Sequence, residues 1–385
     1  MDTDVLFATI EAGGGHVATA RAMQDALELQ FPGRYRTRVS DYMLELGLTR
    51  QDRQHKALWQ WLLGRPPLIR TGQRLLDSVP AATRRWHQLT LDRFARLACE
   101  DLSRSGTRLV VANHGWLATG LTLAQTRYGL QSRVLIFATE PFDASALWAE
   151  PAASRVLTAS QAARRDLIRL GLPASRVSVV GYPVARRFLQ PAEPLPPASG
   201  LRVILSLGGE GRGPDPVPDV LRLLAAGHSV TVLAGRNEDL RQRLLALPDG
   251  SGSLRVLGFT DRVPELLADS HLVAGKAGPA SVMESLAVGR PFLATGYAGL
   301  NELAVVRFLE NRQLGGFTAS AGGLLQAVNR YRDQPELIRQ AAAECRRLGF
   351  SDMSRRLALA LAGFLEDGEV PESAAGPGLD GDDCG

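Results

Sequence analysis

Arg202-Val-Ile-Leu-Ser-Leu207 runs directly into Gly208-Gly209-Glu210-Gly211-Arg212-Gly213. A short aliphatic run ending on a glycine-rich turn reads as a buried strand handing over to a helix, and the glycines let backbone turn tightly and approach a ligand closely. The device recurs twice. Val5–Thr9 leads to Glu11-Ala12-Gly13-Gly14-Gly15-His16 and a helical stretch to about Gln30. Leu272–Ala274 leads to Gly275-Lys276-Ala277-Gly278-Pro279, where Pro279 suits the first position of a helix.

Outward from these turns, similar runs fill the chain. They are Thr37–Ser40, Leu109–Ala112, Val134–Ala138, Val156–Thr158 and Val177–Val180 in the first half, and Ser229–Leu233, Leu254–Leu257 and Pro291–Ala294 in the second. Between them apolar residues recur at helical spacing, as at Leu221, Leu224 and Ala225. Strands alternating with helices predict parallel sheets covered on both faces. The fold class expected is α/β, with two Rossmann-like doubly wound domains facing each other across a cleft. Gln190–Gly200 holds four prolines and reads as a boundary. The expected domains are residues 1–190, a linker at 191–200, a second domain at 201–350, a helix at 351–368 returning to the first, and a disordered acidic tail at 369–385.

Apolar residues make up 45% of the 385 and charged residues 22%, which excludes a disordered or fibrous chain. The longest apolar candidate, Leu109–Leu123, is interrupted by Asn113 and His114, so no membrane span is expected. The start, Met1-Asp2-Thr3-Asp4, has no basic segment of the signal-peptide kind. Cys99, Cys345 and Cys384 fit no disulfide or metal spacing. A cytoplasmic protein is expected.

The formal charge is +4, yet residues 366–385 hold seven acids and no Lys or Arg, while residues 33–108 hold fifteen Lys or Arg against seven acids. Such a surplus attracts anionic partners or is simply a solvated face. Lys occurs only at positions 56 and 276, so the arginine content reflects codon bias and is not taken as nucleic-acid chemistry. Tyr42–Glu100 departs from the alternation and is helical in pattern, with Trp59, Trp61 and Pro66-Pro67 among its aliphatics. Either it lies on a membrane surface or it packs on the first sheet with its tryptophans inside.

Gly13-x-Gly15-x-x-Ala18, followed by Asp41, meets the loose dinucleotide fingerprint. The same turn sets His16 at a helix start, where the dipole disfavours the imidazolium and leaves a neutral base. The other two turns, at strand ends of one domain, suit a diphosphate gripped from two sides, and Glu284 suits a ribose diol. Neither is a Walker A loop, because the Gly-x4-Gly-Lys-Ser/Thr spacing is missing. No Asp-x-Asp metal motif occurs outside the tail string Asp380-Gly-Asp382-Asp383, so no metal is expected.

These blocks resemble the glycosyltransferases that include monogalactosyldiacylglycerol synthases and bacterial diacylglycerol glucosyltransferases, with the lipid II N-acetylglucosaminyltransferase more distant. The resemblance runs over about residues 5–350. It is carried by Gly13–His16, Asn113-His114, Gly181-Tyr-Pro183-Val184, Gly208–Gly211, Leu233–Asn237, Gly258–Leu266, Lys276–Ala287, Gly289-Arg-Pro291 and Gly299–Glu302. It implies a GT-B fold, with His16 as the base that activates the acceptor hydroxyl and Gly14, Gly15 and His114 on the acceptor side. Gly208, Gly209, Glu210 and Gly211 with Lys276, Ala277, Gly278, Pro279, Ala280 and Ser281 form the diphosphate loops. Glu284 is the ribose acid, Arg236, Phe259 and Thr260 lie at the nucleotide, and Asn301 with Glu302 contacts the hexose. The family's Thr-Asp…His…Trp pattern is here Thr139-Glu140-Pro-Phe-Asp143…Trp148 with no histidine between, which makes Glu140 and Asp143 further catalytic candidates. The downstream Asn of the hexose motif is here Val305.

The expected activity is inverting, metal-independent transfer of a hexose from a UDP-sugar to a lipid hydroxyl, with diacylglycerol or a related glycolipid as acceptor. No cofactor is expected; the partners are a UDP-hexose, a lipid and an anionic membrane surface, and no nucleic acid. The enzyme would sit on the inner face of the cell membrane. The alternatives are a UDP-sugar epimerase or hydrolase, a dinucleotide-dependent dehydrogenase using Asp41, and a non-catalytic sugar-nucleotide sensor.

Overall fold

The computed structural model describes residues 3–11, 14–63, 65–211, 213–248, 252–318 and 322–380. Ala12 and Gly13 of the first turn, Arg212 of the second and Cys384 lie outside them. Two compact units emerge: residues 1–186 with 298–301 and 350–385, and residues 187–297 with 302–349.

The first unit is built on β1 (Val5–Thr9), β2 (Thr37–Asp41), β3 (Leu109–Ala112), β4 (Arg133–Phe137), β5 (Arg155–Thr158) and β6 (Val177–Val179), all parallel in the order β2-β1-β3-β4-β5-β6. Strand residues alternate between faces. Leu6 and Ala8 meet Phe94, Leu117 and Leu121 on one side. Val5 and Phe7 meet Ala20, Met23, Leu357 and Leu361 on the other. The last two belong to the helix Phe350–Asp367, which therefore covers the first sheet.

The second unit holds β7 (Arg202–Ser206), β8 (Ser229–Leu233), β9 (Leu254–Leu257), β10 (Leu272–Lys276), β11 (Phe292–Gly296) and β12 (Gly315–Phe317), again parallel, in the order β12-β11-β10-β7-β8-β9. Its core includes Val203, Leu205, Val232, Leu272 and Leu293.

Both orders reverse direction at one point, between β1 and β3 in the first sheet and between β7 and β10 in the second. Ligands of such sheets bind beyond the carboxyl ends of the strands at that switch point. The turns after β1, β3, β7 and β10 are the ones that carry His16, Asn113-His114, Gly208–Gly211 and Lys276–Pro279.

Three expectations change. The tail read as disordered from residue 369 is ordered through Asp380. The Asp380 carboxylate accepts from the Gln161 and Ala162 amides at 2.9 and 2.8 Å, Gly378 bridges to Ser160, and Leu379 is buried. A capped helix N-terminus outweighs the tail's unpromising composition. The proline-rich segment 191–200 belongs with the second unit. Asn301 falls in the first unit while Glu302 falls in the second; the amide of Leu300 donates to Gln73 Oε1 at 2.8 Å, which fixes the 298–301 segment there.

The inserted segment forms the helices Thr49–Leu63, Pro66–Ser78 and Pro80–Thr90. They leave large apolar groups in solvent: Trp61 is 50% exposed, Leu75 63%, Trp86 58% and Leu89 72%. The expectation of Trp59 and Trp61 inside a core fails for Trp61, while Trp59 is half-buried. Among the described residues no helix is long and apolar enough to cross a membrane.

Candidate functional site

In the first unit, Gly14 sits at φ 84° as the N-cap of the helix Gly15–Gln30, a left-handed conformation that favours glycine. A Cβ on Gly14 or Gly15 would meet no atom within 4 Å, so the turn presents bare backbone. His16 opens that helix. Asn113, at the end of β3, donates from Nδ2 to the His16 carbonyl, and Thr139 beyond β4 lies with its Oγ1 3.2 Å from His16 Nδ1. With the proton on Nδ1 donated to Thr139, Nε2 keeps its lone pair.

Burial holds the His16 imidazole down to about 4, so it is neutral at pH 7. Removal from water, rather than the helix dipole expected from the sequence, is the leading cause. The His114 ring centre lies 4.9 Å from that of His16 and the Trp148 ring 6.5 Å. His55, from the helix Thr49–Leu63, lies 5.3 Å from His114 and 3.9 Å from Trp116. His55, Thr139 and Trp148 went unassigned in the sequence. They come from separate elements, and no local pattern marks His55, inside a helical insertion, as a neighbour of the glycine turn.

Glu140 accepts from the Ser145 amide at 2.9 Å and from the Trp148 side chain. Burial raises the Glu140 and Asp143 carboxyls, and neighbouring acids, Asp143 for Glu140 and Asp166 with Asp77 for Asp143, raise them further. Asp77 ties the loop down by accepting from the Ala146 amide at 2.6 Å. Carboxyls raised in this way hold protons near neutrality and serve as donors rather than bases.

Asp41 is consumed locally. Its carboxylate pairs with Lys56 at 2.8 Å and accepts from the Glu11 and Leu44 amides. That leaves it unsuited to the ribose role of the dehydrogenase alternative.

In the second unit, Gly208 and Gly211 take φ 70° and 62°, and the Gly211 amide closes a turn onto the Gly208 carbonyl at 3.1 Å. Gly235 packs beneath, where a Cβ would lie 2.5 Å from the Gly208 and Gly209 oxygens. Glu210 pairs with Arg236 at 2.9 Å, and the Arg236 guanidinium lies 4.6 Å from the ring centre of exposed Phe259. Thr260 Oγ1 accepts from the Arg262 amide at 3.2 Å.

At the neighbouring strand end, Lys276 pairs with Glu302 at 2.5 Å and the Ala277 amide donates to the Gly296 carbonyl. Gly278 caps the helix Pro279–Ala287, whose first turn holds Ala280 and Ser281. Helix N-termini of this kind, together with open glycine amides, favour an anion. Glu284, one turn on, is half-buried, and burial pushes its carboxyl up to about 7. Among the described residues no group of three or more His, Cys, Asp or Glu is placed to hold a metal ion.

Two parallel α/β units with turn-borne sites at their switch points have the fold of the GT-B glycosyltransferases. The fold is shared with the Anabaena protein HepE solved with UDP and glucose, at a TM-score of 0.54 and 16% identity over 95% of this chain and 100% of that one. It is also shared with a putative UDP-N-acetylglucosamine 2-epimerase from Listeria monocytogenes, at a TM-score of 0.60 and 13% identity over 97% and 99%.

Residues 215–297 match the glycosyltransferase family 28 C-terminal domain. The chain is 25% identical over 346 residues to monogalactosyldiacylglycerol synthase 1 of Arabidopsis thaliana, covering 82% of this chain and 62% of that protein. It is 22% identical over 247 residues to the processive diacylglycerol beta-glucosyltransferase of Staphylococcus epidermidis, covering 60% and 61%. The chain thus spans about three-fifths of the length of these relatives.

Proposed function

We propose that the protein transfers a hexosyl group from a UDP-sugar to a lipid hydroxyl, with diacylglycerol or a related glycolipid as acceptor. The observation that carries this reading is a neutral, partly exposed imidazole at an open glycine turn of one switch point, in a chain whose second sheet has anion-favouring turns at its own. His16 Nε2 takes the acceptor proton as the oxygen bonds to the anomeric carbon. The bond from that carbon to the diphosphate oxygen breaks, and its electron pair leaves with UDP. The amides of Gly208, Gly209 and Glu210, the Pro279–Ala287 helix N-terminus and the Lys276 ammonium stabilise the charge that develops. A single displacement inverts the anomeric centre. The similarity to lipid galactosyl- and glucosyltransferases supports the acceptor class.

Incubation with UDP-glucose or UDP-galactose, with and without diacylglycerol, followed by mass spectrometry, tests the reading. Glycolipid formed only when all components are present is the expected result. UDP or an isomerised sugar released equally without acceptor would turn the assignment to hydrolysis or epimerisation.

The nucleotide is assigned to the second unit, with Glu284 accepting from the ribose hydroxyls. Glu284→Ala is expected to weaken UDP binding by about 1–3 kcal/mol, the cost of leaving hydroxyl donors without their acceptor. Calorimetry checks it, and unchanged affinity in a folded variant removes Glu284 from the site.

Membrane association is assigned to the inserted helices. Exposed Trp61, Leu75, Trp86 and Leu89 accompany exposed Arg65, Arg74 and Arg85 there. Exposed apolar groups interspersed with cations along the same helices fit an anionic interface. Sedimentation with phosphatidylglycerol vesicles is expected and should weaken with salt, because charges are screened over about 10 Å at 0.1 M. Equal sedimentation with neutral vesicles would remove the electrostatic part of the assignment.

A further inference from the structure

The ring beside His16 has its proton placed by the backbone. His114 is the N-cap of the helix Gly115–Tyr128, with extended backbone at φ −156° and ψ 138°, and its Nδ1 accepts from the Trp116 amide at 3.2 Å. A ring nitrogen that accepts from an amide holds a lone pair, so the neutral ring carries its hydrogen on Nε2. The charged ring is disfavoured from two sides. Burial lowers the His114 pKa well below the ordinary value, with His16, His55 and His87 adding to the effect, and the helix N-terminus repels a cation.

This ring cannot pass a proton through itself, because Nδ1 is engaged by the helix. Its Nε2–H has no protein acceptor among the described residues, although the ring is 4.9 Å from His16, centre to centre, and partly exposed. Asn113, the preceding residue, holds the His16 carbonyl, so the end of β3 fixes the two imidazoles relative to each other. In the His16 tautomer that donates Nδ1–H to Thr139, the pair is unequal: His16 offers a lone pair and His114 offers a hydrogen.

We infer that His114 binds the acceptor by donating its Nε2–H to an oxygen next to the hydroxyl that His16 deprotonates. The inference rests on the reading of His16 as the base. An acceptor matched to this pair carries a second oxygen one or two carbons from the reacting one, either an ester carbonyl or a neighbouring hydroxyl. A simple alcohol satisfies His16 but makes no bond to His114 and forgoes the energy of that bond. His114 thus selects glycerol-like acceptors over plain long-chain alcohols.

His114→Asn separates this role from the structural one. Asparagine is among the best N-caps, so the helix keeps its cap while the imidazole donor is lost. Three acceptors are compared: 1,2-diacylglycerol, a 1-alkylglycerol that has a neighbouring hydroxyl but no ester, and hexadecanol. The variant is expected to keep its Tm and UDP affinity and to lose about tenfold in kcat/KM on the acceptor whose second oxygen is used, with no change on hexadecanol. Loss on diacylglycerol alone identifies the carbonyl, and loss on both glycerol acceptors identifies an oxygen they share. Nitrogen-15 spectra of histidine-labelled protein at pH 7 are expected to show His114 in the Nε2–H form.

An Nδ1–H or doubly protonated His114 overturns the inference whatever the activity. A variant that keeps the wild-type preference for glycerol acceptors over hexadecanol overturns the His114 role alone. Absence of transfer to all three by the wild type overturns the acceptor role together with the transferase reading.

Discussion

His16→Ala is expected to lower hexosyl transfer by about 10²–10⁴-fold, the usual worth of a positioned general base, with UDP affinity unchanged. The size follows from the lack of a substitute. The other buried titratable groups of the cluster are His114, whose lone pair is committed to the Trp116 amide, the Glu140 and Asp143 carboxyls, whose raised pKa values keep protons on them, and His55, which lies on the far side against His114 and Trp116. With His16 at about 4, the base is already deprotonated through the neutral range, and the acid limb of kcat/KM should fall near pH 4 rather than near 6.5.

The same depression affects stability. His16 binds its proton more weakly folded than unfolded, so its contribution is complete above the unfolded pKa of about 6.5 and is lost as pH falls toward 4. The alanine variant should therefore lose less stability than the wild type over that window. Melting temperature, UDP calorimetry and transfer measured on one preparation separate these effects. A folded variant with near-normal transfer would return the search for a base to other groups.

The glycine turns and their strands were legible because each pairs a β-branched run with a turn that only glycine satisfies. Eleven strands are placed by the sequence to within two residues at each end. The twelfth, β12, is not, because Gly315-Gly316-Phe317 has neither strand propensity nor an apolar run. Its glycine is imposed by the partner: Gly315 takes φ 148°, and a Cβ there would lie 1.8 Å from the Phe292 carbonyl oxygen. The ordered tail was hidden for a related reason. Gly376–Asp380 looks unstructured by composition, yet it docks through Gly378 on β5's end and the Asp380 cap, contacts that exist only once the sheet is built. The candidate site divides along the same line. Residues on the turns were readable, whereas His55, Thr139 and Trp148 reach His16 through tertiary packing.

Arg290→Ala is expected to destabilise the second unit by about 3–5 kcal/mol, although the residue touches no proposed ligand. Its side chain is wholly buried and pairs with no carboxylate among the described residues. The guanidinium donates instead to five carbonyls: Leu267 at 3.2 Å, Ala268 at 2.7 Å, Ala192 at 3.2 Å, Glu193 at 2.8 Å and Gly289 at 3.4 Å. Leu267 and Ala268 end the helix Val263–Ala268, whose last carbonyls lack intrahelical partners and whose dipole favours a cation. Ala192 and Glu193 lie in the proline-rich segment, so a single side chain both closes a helix and pins that segment to the second unit. Alanine strands several buried acceptors at once, and lysine, with three donors on a flexible stem, cannot reproduce the planar fork. Arg290→Lys should therefore fall between wild type and alanine. All five tryptophans lie in the first unit, so their fluorescence during urea unfolding reports on that unit, and far-UV circular dichroism adds the second. The expected result is a lower midpoint by circular dichroism with the fluorescence transition in place. Coincident shifts of both signals would mean that the two units unfold together, and no shift in either would mean that the carbonyls find other donors.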